Sequence, residues 1–230
     1  MGGEVRHSGH AVDWALYLVT DSRVAGDRSL LEIVASAIDG GATVIQYRDK
    51  DASTRAMVET AGAMVRLCRD KGACFLVNDR VDVALAVDAA GVHVGQEDMP
   101  ASLVRRLIGP DRLLGVSVHD AAEIIRAEQA GADYISLSPI FATPTKPDHL
   151  QPLGVDGIRR LAAVSRLPVV AIGGINRDNA AQVIRAGAVG ICVVSAIIAA
   201  ADPEEAAREL RHIVEAAHLR AYSHGKLSDS

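Results

Sequence analysis

Two acidic residues fall where a strand-like run gives way to a loop. Asp79 lies in Asn78-Asp-Arg-Val-Asp82, and Asp98 closes Gly91-Val-His-Val-Gly-Gln-Glu-Asp98. In a parallel α/β fold the strand exits share one face, so carboxylates distant in sequence can meet there. Two converging carboxylates beside basic residues suit a magnesium ion bound together with a phosphorylated ligand. They also suit a plainer role, with Asp79 capping a helix and Asp98 opening a turn. Spacing alone leaves both readings open.

Arg48 and Lys50 follow the run Thr43-Val-Ile-Gln-Tyr47. Arginine can hold two phosphate oxygens at once and lysine adds a mobile point charge. The alternative is a solvated Arg48-Asp49-Lys50 loop with weak surface pairs. Gly173-Gly174 before Asn176, and Ser195 after Val194, have the makings of a phosphate cup. Glycine admits close backbone approach, and N–H groups at a helix start favour an anion. The same residues also suit a tight strand-to-helix turn. Thr143-Pro144-Thr145-Lys146 offers hydroxyls, N–H groups and an ammonium to a phosphate, or else forms a rigid proline turn.

Other strand exits offer Gln46, Asn78, Gln96, Ser117 and His119. His93, inside a strand, reads as a hydrogen-bonded structural residue; His119 fits either role, and His149 reads as loop surface. No Ser-His-Asp spacing is evident, and no cysteine is placed as a nucleophile. A cation-plus-metal site and a backbone cup on one face suggest a transferase joining two phosphorylated ligands.

Such a face needs serial βα units. Strands are predicted at 16–20, 43–47, 74–77, 92–94, 113–118, 133–137, 168–172 and 190–194, with Ala-rich helical patterns between them. Ser29 and Ser53 are positioned as helix caps, and Asn176 as a helix start. Gly-Ala-X recurs at Gly41, Gly72, Gly131 and Gly187, each time ending a helix ahead of an apolar strand. Eight units without a linker predict a single (β/α)8 barrel over 13–219, with flexible tails at 1–12 and 220–230. A doubly wound sheet is disfavoured, because no Gly-x-Gly-x-x-Gly follows the first strand. The longest break, from about Phe141 to Leu153, is proline-rich and suits a lid.

Composition narrows the function classes. The 230 residues are 49% apolar and carry a net charge of −5, so no broad basic field recruits nucleic acid. No run approaches membrane-spanning length, and the first ten residues have no apolar signal core. Cys68, Cys74 and Cys192 fit no metal spacing and read as buried thiols in a reducing compartment, which points to the cytoplasm. A homo-oligomer is left open.

From Leu16 to Val214 the chain resembles the thiamine-phosphate synthase family. The resemblance rests on Gln46-Tyr-Arg-Asp-Lys50, Asn78-Asp-Arg-Val-Asp82, Gly91-Val-His-Val-Gly-Gln-Glu-Asp98, Gly115-Val-Ser117, Pro139-Ile-Phe-Ala-Thr-Pro-Thr-Lys146, Ala171-Ile-Gly-Gly-Ile175 and Val193-Val-Ser-Ala-Ile197. Ser138 departs from the family's usual glycine before Pro-Ile, which bears on loop packing.

The resemblance implies condensation of 4-amino-2-methyl-5-hydroxymethylpyrimidine diphosphate with hydroxyethylthiazole phosphate. The products are thiamine phosphate and pyrophosphate. Gln46, Tyr47, Arg48, Asp49, Lys50, Asn78, Ser117 and Lys146 would meet the pyrimidine diphosphate, with Arg48, Lys50 and Lys146 stabilising the leaving group. Thr143, Pro144, Thr145, Gly174, Val194 and Ser195 would meet the thiazole phosphate, and Asp79 and Asp98 would hold Mg²⁺. The sister thiazole tautomerase needs no diphosphate site, so the joint presence of Arg48, Lys50, Asp79, Asp98 and Lys146 argues against it. A non-catalytic phosphate-binding barrel remains a rival, separated by turnover.

Overall fold

The computed structural model describes residues 6–7, 10–142 and 151–225. The eight apolar runs form one closed sheet. Its strands are β1 (Leu16–Val19), β2 (Val44–Tyr47), β3 (Cys74–Asn78), β4 (Gly91–Val94), β5 (Leu113–Val118), β6 (Tyr134–Leu137), β7 (Val169–Ile172) and β8 (Gly190–Val193). All neighbours are parallel and β8 closes onto β1, through Cys192 opposite Tyr17 for example. The predicted single (β/α)8 barrel is the observed architecture.

The near-continuous hydrophobicity of the strands has a period-two cause. One parity (Leu16, Leu18, Ile45, Phe75, Val77, Val92, Leu114, Ile135, Ile191) packs against the helices. The other (Tyr17, Val19, Val44, Leu76, Leu113, Tyr134, Val170, Cys192) fills the barrel interior, joined by Trp14. Near the strand exits the inner parity turns polar: Gln46, Asn78, His93, Ser117 and Ser136.

Helices follow each strand. Ser29 caps α2 (Leu30–Asp39) through Glu32 N at 3.3 Å, and Ser53 caps α3 (Thr54–Lys71) through Ala56 N at 3.3 Å. Gly72 ends α3 in the left-handed region at φ 75°, where glycine has no steric cost.

Some boundaries differ from expectation. Asn176 does not start a helix; α8 spans Ala180–Arg185, with Asn179 before it. The Asn176 side chain accepts from Asp178 N at 2.9 Å, and Asn179 Oδ1 accepts from Asn176 N at 2.9 Å. Asparagine competes for backbone N–H groups, and here it makes a turn. The last helix, α10 (Pro203–Gly225), runs past the barrel boundary expected at 219, because nothing before Gly225 breaks it. It therefore covers part of the segment expected as a C-terminal tail. In the N-terminal segment, Arg6–His7 pairs antiparallel with His10–Ala11. Among the described residues, no helix is long and apolar enough to cross a membrane.

The barrel closes tightly where β8 meets β1. A Cβ on Gly190 would lie 1.7 Å from the Trp14 carbonyl oxygen, and backbone cannot swing aside. Gly190→Ala is expected to lower unfolding stability by about 3 kcal/mol or more, read as a shift of the urea midpoint at unchanged m-value.

Candidate active site

The exits of β2, β3 and β4 build one rim. Gln46, Arg48, Lys50, Asn78, Asp79, His93, Gly95, Asp98 and Ser117 line a single cavity at the barrel mouth, together with Tyr17, Ser136 and Ser138. The carboxylates and cations drawn from separate stretches of sequence therefore do converge.

Asp79 is not a helix cap. The residue preceding α4 (Val81–Ala86) is Arg80, which makes no side-chain cap bond. Asp79 instead adopts φ 57°, a left-handed conformation that aspartate tolerates better than most residues. Its N–H donates to His93 O at 2.8 Å, which holds the turn against β4. The carboxylate accepts from Asn78 Nδ2 at 2.8 Å and from the Lys50 ammonium.

Burial raises the Asp79 carboxyl above the usual carboxylate range. A hydrogen bond and charge from Asp98 raise it further, and Lys50 opposes them. Asp98 also keeps part of its turn role, since its Oδ2 accepts from Gly95 N at 2.8 Å.

Arg48 is held from behind. Its guanidinium donates to Asp21 Oδ2 at 2.9 Å, and its N–H donates to Thr20 Oγ1 at 2.9 Å. Asp21 caps α1 (Ser22–Ala25), accepting from Arg23 N and Val24 N. Thr20 and Asp21 were missed in the sequence, although an acid directly after the first strand matches the pattern of Asp79 and Asp98.

Two expected site side chains stand elsewhere. Tyr47 belongs to the outward parity of β2 and is buried in the helix-facing core, so its ring is across the barrel wall from the cavity. Asp49 caps the following turn, accepting from Asp51 N at 3.0 Å and Ala52 N at 3.1 Å. His119 Nδ1 pairs with Ser138 O at 3.0 Å, and Gln96 Nε2 donates to Ser117 O at 2.6 Å, so both brace the rim.

On the opposite side, Gly173 and Gly174 have φ of 110° and 64°. A Cβ on Gly174 would lie 2.8 Å from Ala142 O, so the glycine pair lets the loop after β6 lie against it. Asn179 Nδ2 ties the turn down through Gly174 O at 2.9 Å. Val194 precedes the short helix α9 (Ser195–Ile198), and Ser195 is exposed. Thr143, Pro144, Thr145, Lys146 and His149 lie outside the described residues.

Beneath the rim a buried polar row crosses the barrel. Gln46 Nε2 donates to Tyr17 Oη at 2.5 Å, and Tyr17 Oη meets Tyr134 Oη at 2.8 Å. Tyr134 Oη meets His93 Nδ1 at 2.8 Å, and His93 Nε2 meets Ser117 Oγ at 2.9 Å. His93 is thus the hydrogen-bonded strand residue expected, whereas Tyr17 and Tyr134 passed as core. The cysteines offer no nucleophile: burial pushes the Cys68 and Cys74 thiols up to about 12, and Cys192 is also well raised.

Among the described residues no three His, Cys, Asp or Glu side chains gather as a metal cage. Two carboxylates beside cations suit Mg²⁺, which takes one or two carboxylates and completes its shell with water and substrate phosphate. The closed parallel barrel thus carries acids, cations and amides together at its strand exits.

The thiamine monophosphate synthase family matches residues 16–197. A thiamine-phosphate synthase of Chloroflexus aurantiacus is 56% identical over 92% of this chain and 98% of its own. One from a Roseiflexus species is 54% identical over 88% and 86%. The solved thiamine phosphate pyrophosphorylase of Pyrococcus furiosus superposes with a TM-score of 0.82 at 43% identity, covering 90% of this chain and 98% of that one. The chain belongs to the thiamine monophosphate synthase family and is a transferase with thiamine-phosphate synthase activity.

Proposed function

We propose that the barrel mouth binds 4-amino-2-methyl-5-hydroxymethylpyrimidine diphosphate beside hydroxyethylthiazole phosphate and joins them with release of pyrophosphate. The observation that carries the reading is the meeting of Arg48, Lys50, Asp79 and Asp98 on one rim above the amides of Gln46 and Asn78. Gln46 and Ser117 face the pyrimidine ring, and Arg48, Lys50, Asn78 and Lys146 face the diphosphate. Tyr47 and Asp49 flank that site and shape the strand exit. Thr143, Pro144, Thr145, Gly174, Val194 and Ser195 face the thiazole phosphate. Three free thiols suit a reducing compartment and so a cytoplasmic enzyme.

The pyrimidine's amino group feeds electrons toward its methylene carbon, so pyrophosphate can depart before the thiazole nitrogen attacks. No covalent nucleophile is needed. The chain's task is to neutralise charge on the leaving group and align the two rings. Arg48, braced by Asp21, presents a fixed fork to the diphosphate oxygens. Lys50 can exchange the Asp79 carboxylate for a phosphate oxygen. Asp79 and Asp98 would hold a Mg²⁺, which when bound supplies positive charge to the departing pyrophosphate.

Calorimetric titration with the pyrimidine diphosphate tests this placement. Binding should tighten at least about tenfold when Mg²⁺ replaces chelator, as expected for a cation shared between protein and phosphate. Equal affinity in both conditions would remove the metal from the site.

A further inference from the structure

We propose that Tyr134, which lies beneath the cavity and lines none of it, is a positioning residue that sets the hydrogen-bond polarity of the pyrimidine subsite through Tyr17 and His93. In consequence Gln46 offers its carbonyl, and Ser117 its hydroxyl hydrogen, to the aminopyrimidine edge. This deepens, and rests on, the reading of Gln46 and Ser117 as ring contacts.

The direction of the row follows from its first member. An amide nitrogen only donates, so Gln46 Nε2 gives a hydrogen to Tyr17 Oη at 2.5 Å. Tyr17 then directs its single hydrogen to Tyr134 Oη at 2.8 Å, and Tyr134 directs its own to His93 Nδ1 at 2.8 Å. A ring nitrogen that accepts leaves the hydrogen on Nε2, which gives it to Ser117 Oγ at 2.9 Å. Ser117 is left with a hydrogen to give, and Gln46 with its carbonyl. A 4-aminopyrimidine presents an N–H donor next to a ring-nitrogen acceptor, the complement of that pair.

Burial supports the order. Both phenols are fully buried and their pKa values pushed well up, so neither ionises and breaks the sequence of donors.

The backbone is arranged for this row. His93, Gly115 and Tyr134 are register partners across β4, β5 and β6, with the glycine in the middle. A Cβ on Gly115 would lie 2.2 Å from Tyr134 Cζ and 2.4 Å from His93 Nδ1. The missing side chain is therefore what lets the imidazole reach the phenol across an intervening strand. The Tyr134 ring is fixed independently, against Trp14 at a centroid distance of 4.3 Å.

The test uses Tyr134→Phe, which keeps the ring and removes the hydroxyl, and Tyr17→Phe, which cuts the same row nearer Gln46. Each should raise KM for the pyrimidine diphosphate about tenfold, leave KM for the thiazole phosphate unchanged, and shrink the preference for the natural ring over its des-amino analogue. The double variant should be no worse than the more severe single one, since both cut one chain.

Gln46→Ala separates the two layers of inference. If it raises KM for the pyrimidine diphosphate while both phenylalanine variants leave that KM and the des-amino preference unchanged, the relay is overturned and the subsite stands. If Gln46→Ala leaves it unchanged, the subsite reading itself is overturned. Equal rises in both KM values for the phenylalanine variants would mean a merely structural role and would also overturn the relay.

Discussion

Asp98→Asn should lower turnover at least about a hundredfold while leaving the fold as stable as the parent. The loss follows from placing Asp98 with Asp79 beneath the diphosphate, where charge builds on the leaving group. The retained stability follows from the state of Asp79, which burial and then Asp98 hold above the usual carboxylate range. A carboxyl with a raised folded-state pKa contributes stability when protonated, at low pH, and that contribution is lost as pH rises through the folded value. With no Mg²⁺ between them the two carboxyls oppose each other's ionisation, and replacing one by a neutral amide removes that opposition.

Asparagine can still accept from Gly95 N, so the loop bond at 2.8 Å survives the change. Steady-state rates at saturating Mg²⁺, paired with thermal unfolding in chelator, check both halves. The melting temperature in chelator should match or exceed the parent's at pH 7.5. Near-parental turnover in a folded variant would remove Asp98 from the metal site.

Arg48→Ala should be more damaging, because Arg48 belongs both to the site and to its scaffold. Its guanidinium pairs with Asp21 at 2.9 Å, with the two side chains only 20% and 11% exposed. Removing it leaves Asp21 with the N–H groups of α1 but without its paired guanidinium, at a cost of about 2 kcal/mol. Losing the fork at the diphosphate should lower kcat/KM by about 10³. Arg48→Lys keeps the charge and loses the paired geometry, so it should fall between parent and alanine. Urea unfolding reads the first effect, and initial rates over a range of pyrimidine diphosphate read the second.

Much of this was legible because the barrel writes itself in simple periods. Apolar runs that give way to polar residues mark the exits, and the exits of β2, β3 and β4 supplied Gln46, Arg48, Asn78, Asp79 and Asp98. Tyr47 shows where a contiguous motif misleads. Neighbours in a strand face opposite ways, so Gln46 looks into the cavity and Tyr47 into the helix layer. Tyr17 and Tyr134 were hidden for the converse reason: a tyrosine in an apolar strand looks like core until its parity is compared with that of Gln46 and Ser117. Asp21 was overlooked because its partner, Arg48, is a full βα unit away.

The most direct measurement of what the chain does is a mixture of purified protein, both phosphorylated substrates and Mg²⁺, followed for thiamine phosphate and pyrophosphate. The two products should appear together with both substrates present, and thiamine phosphate should not form without the thiazole phosphate. Well-folded protein that yields no thiamine phosphate would contradict the assignment.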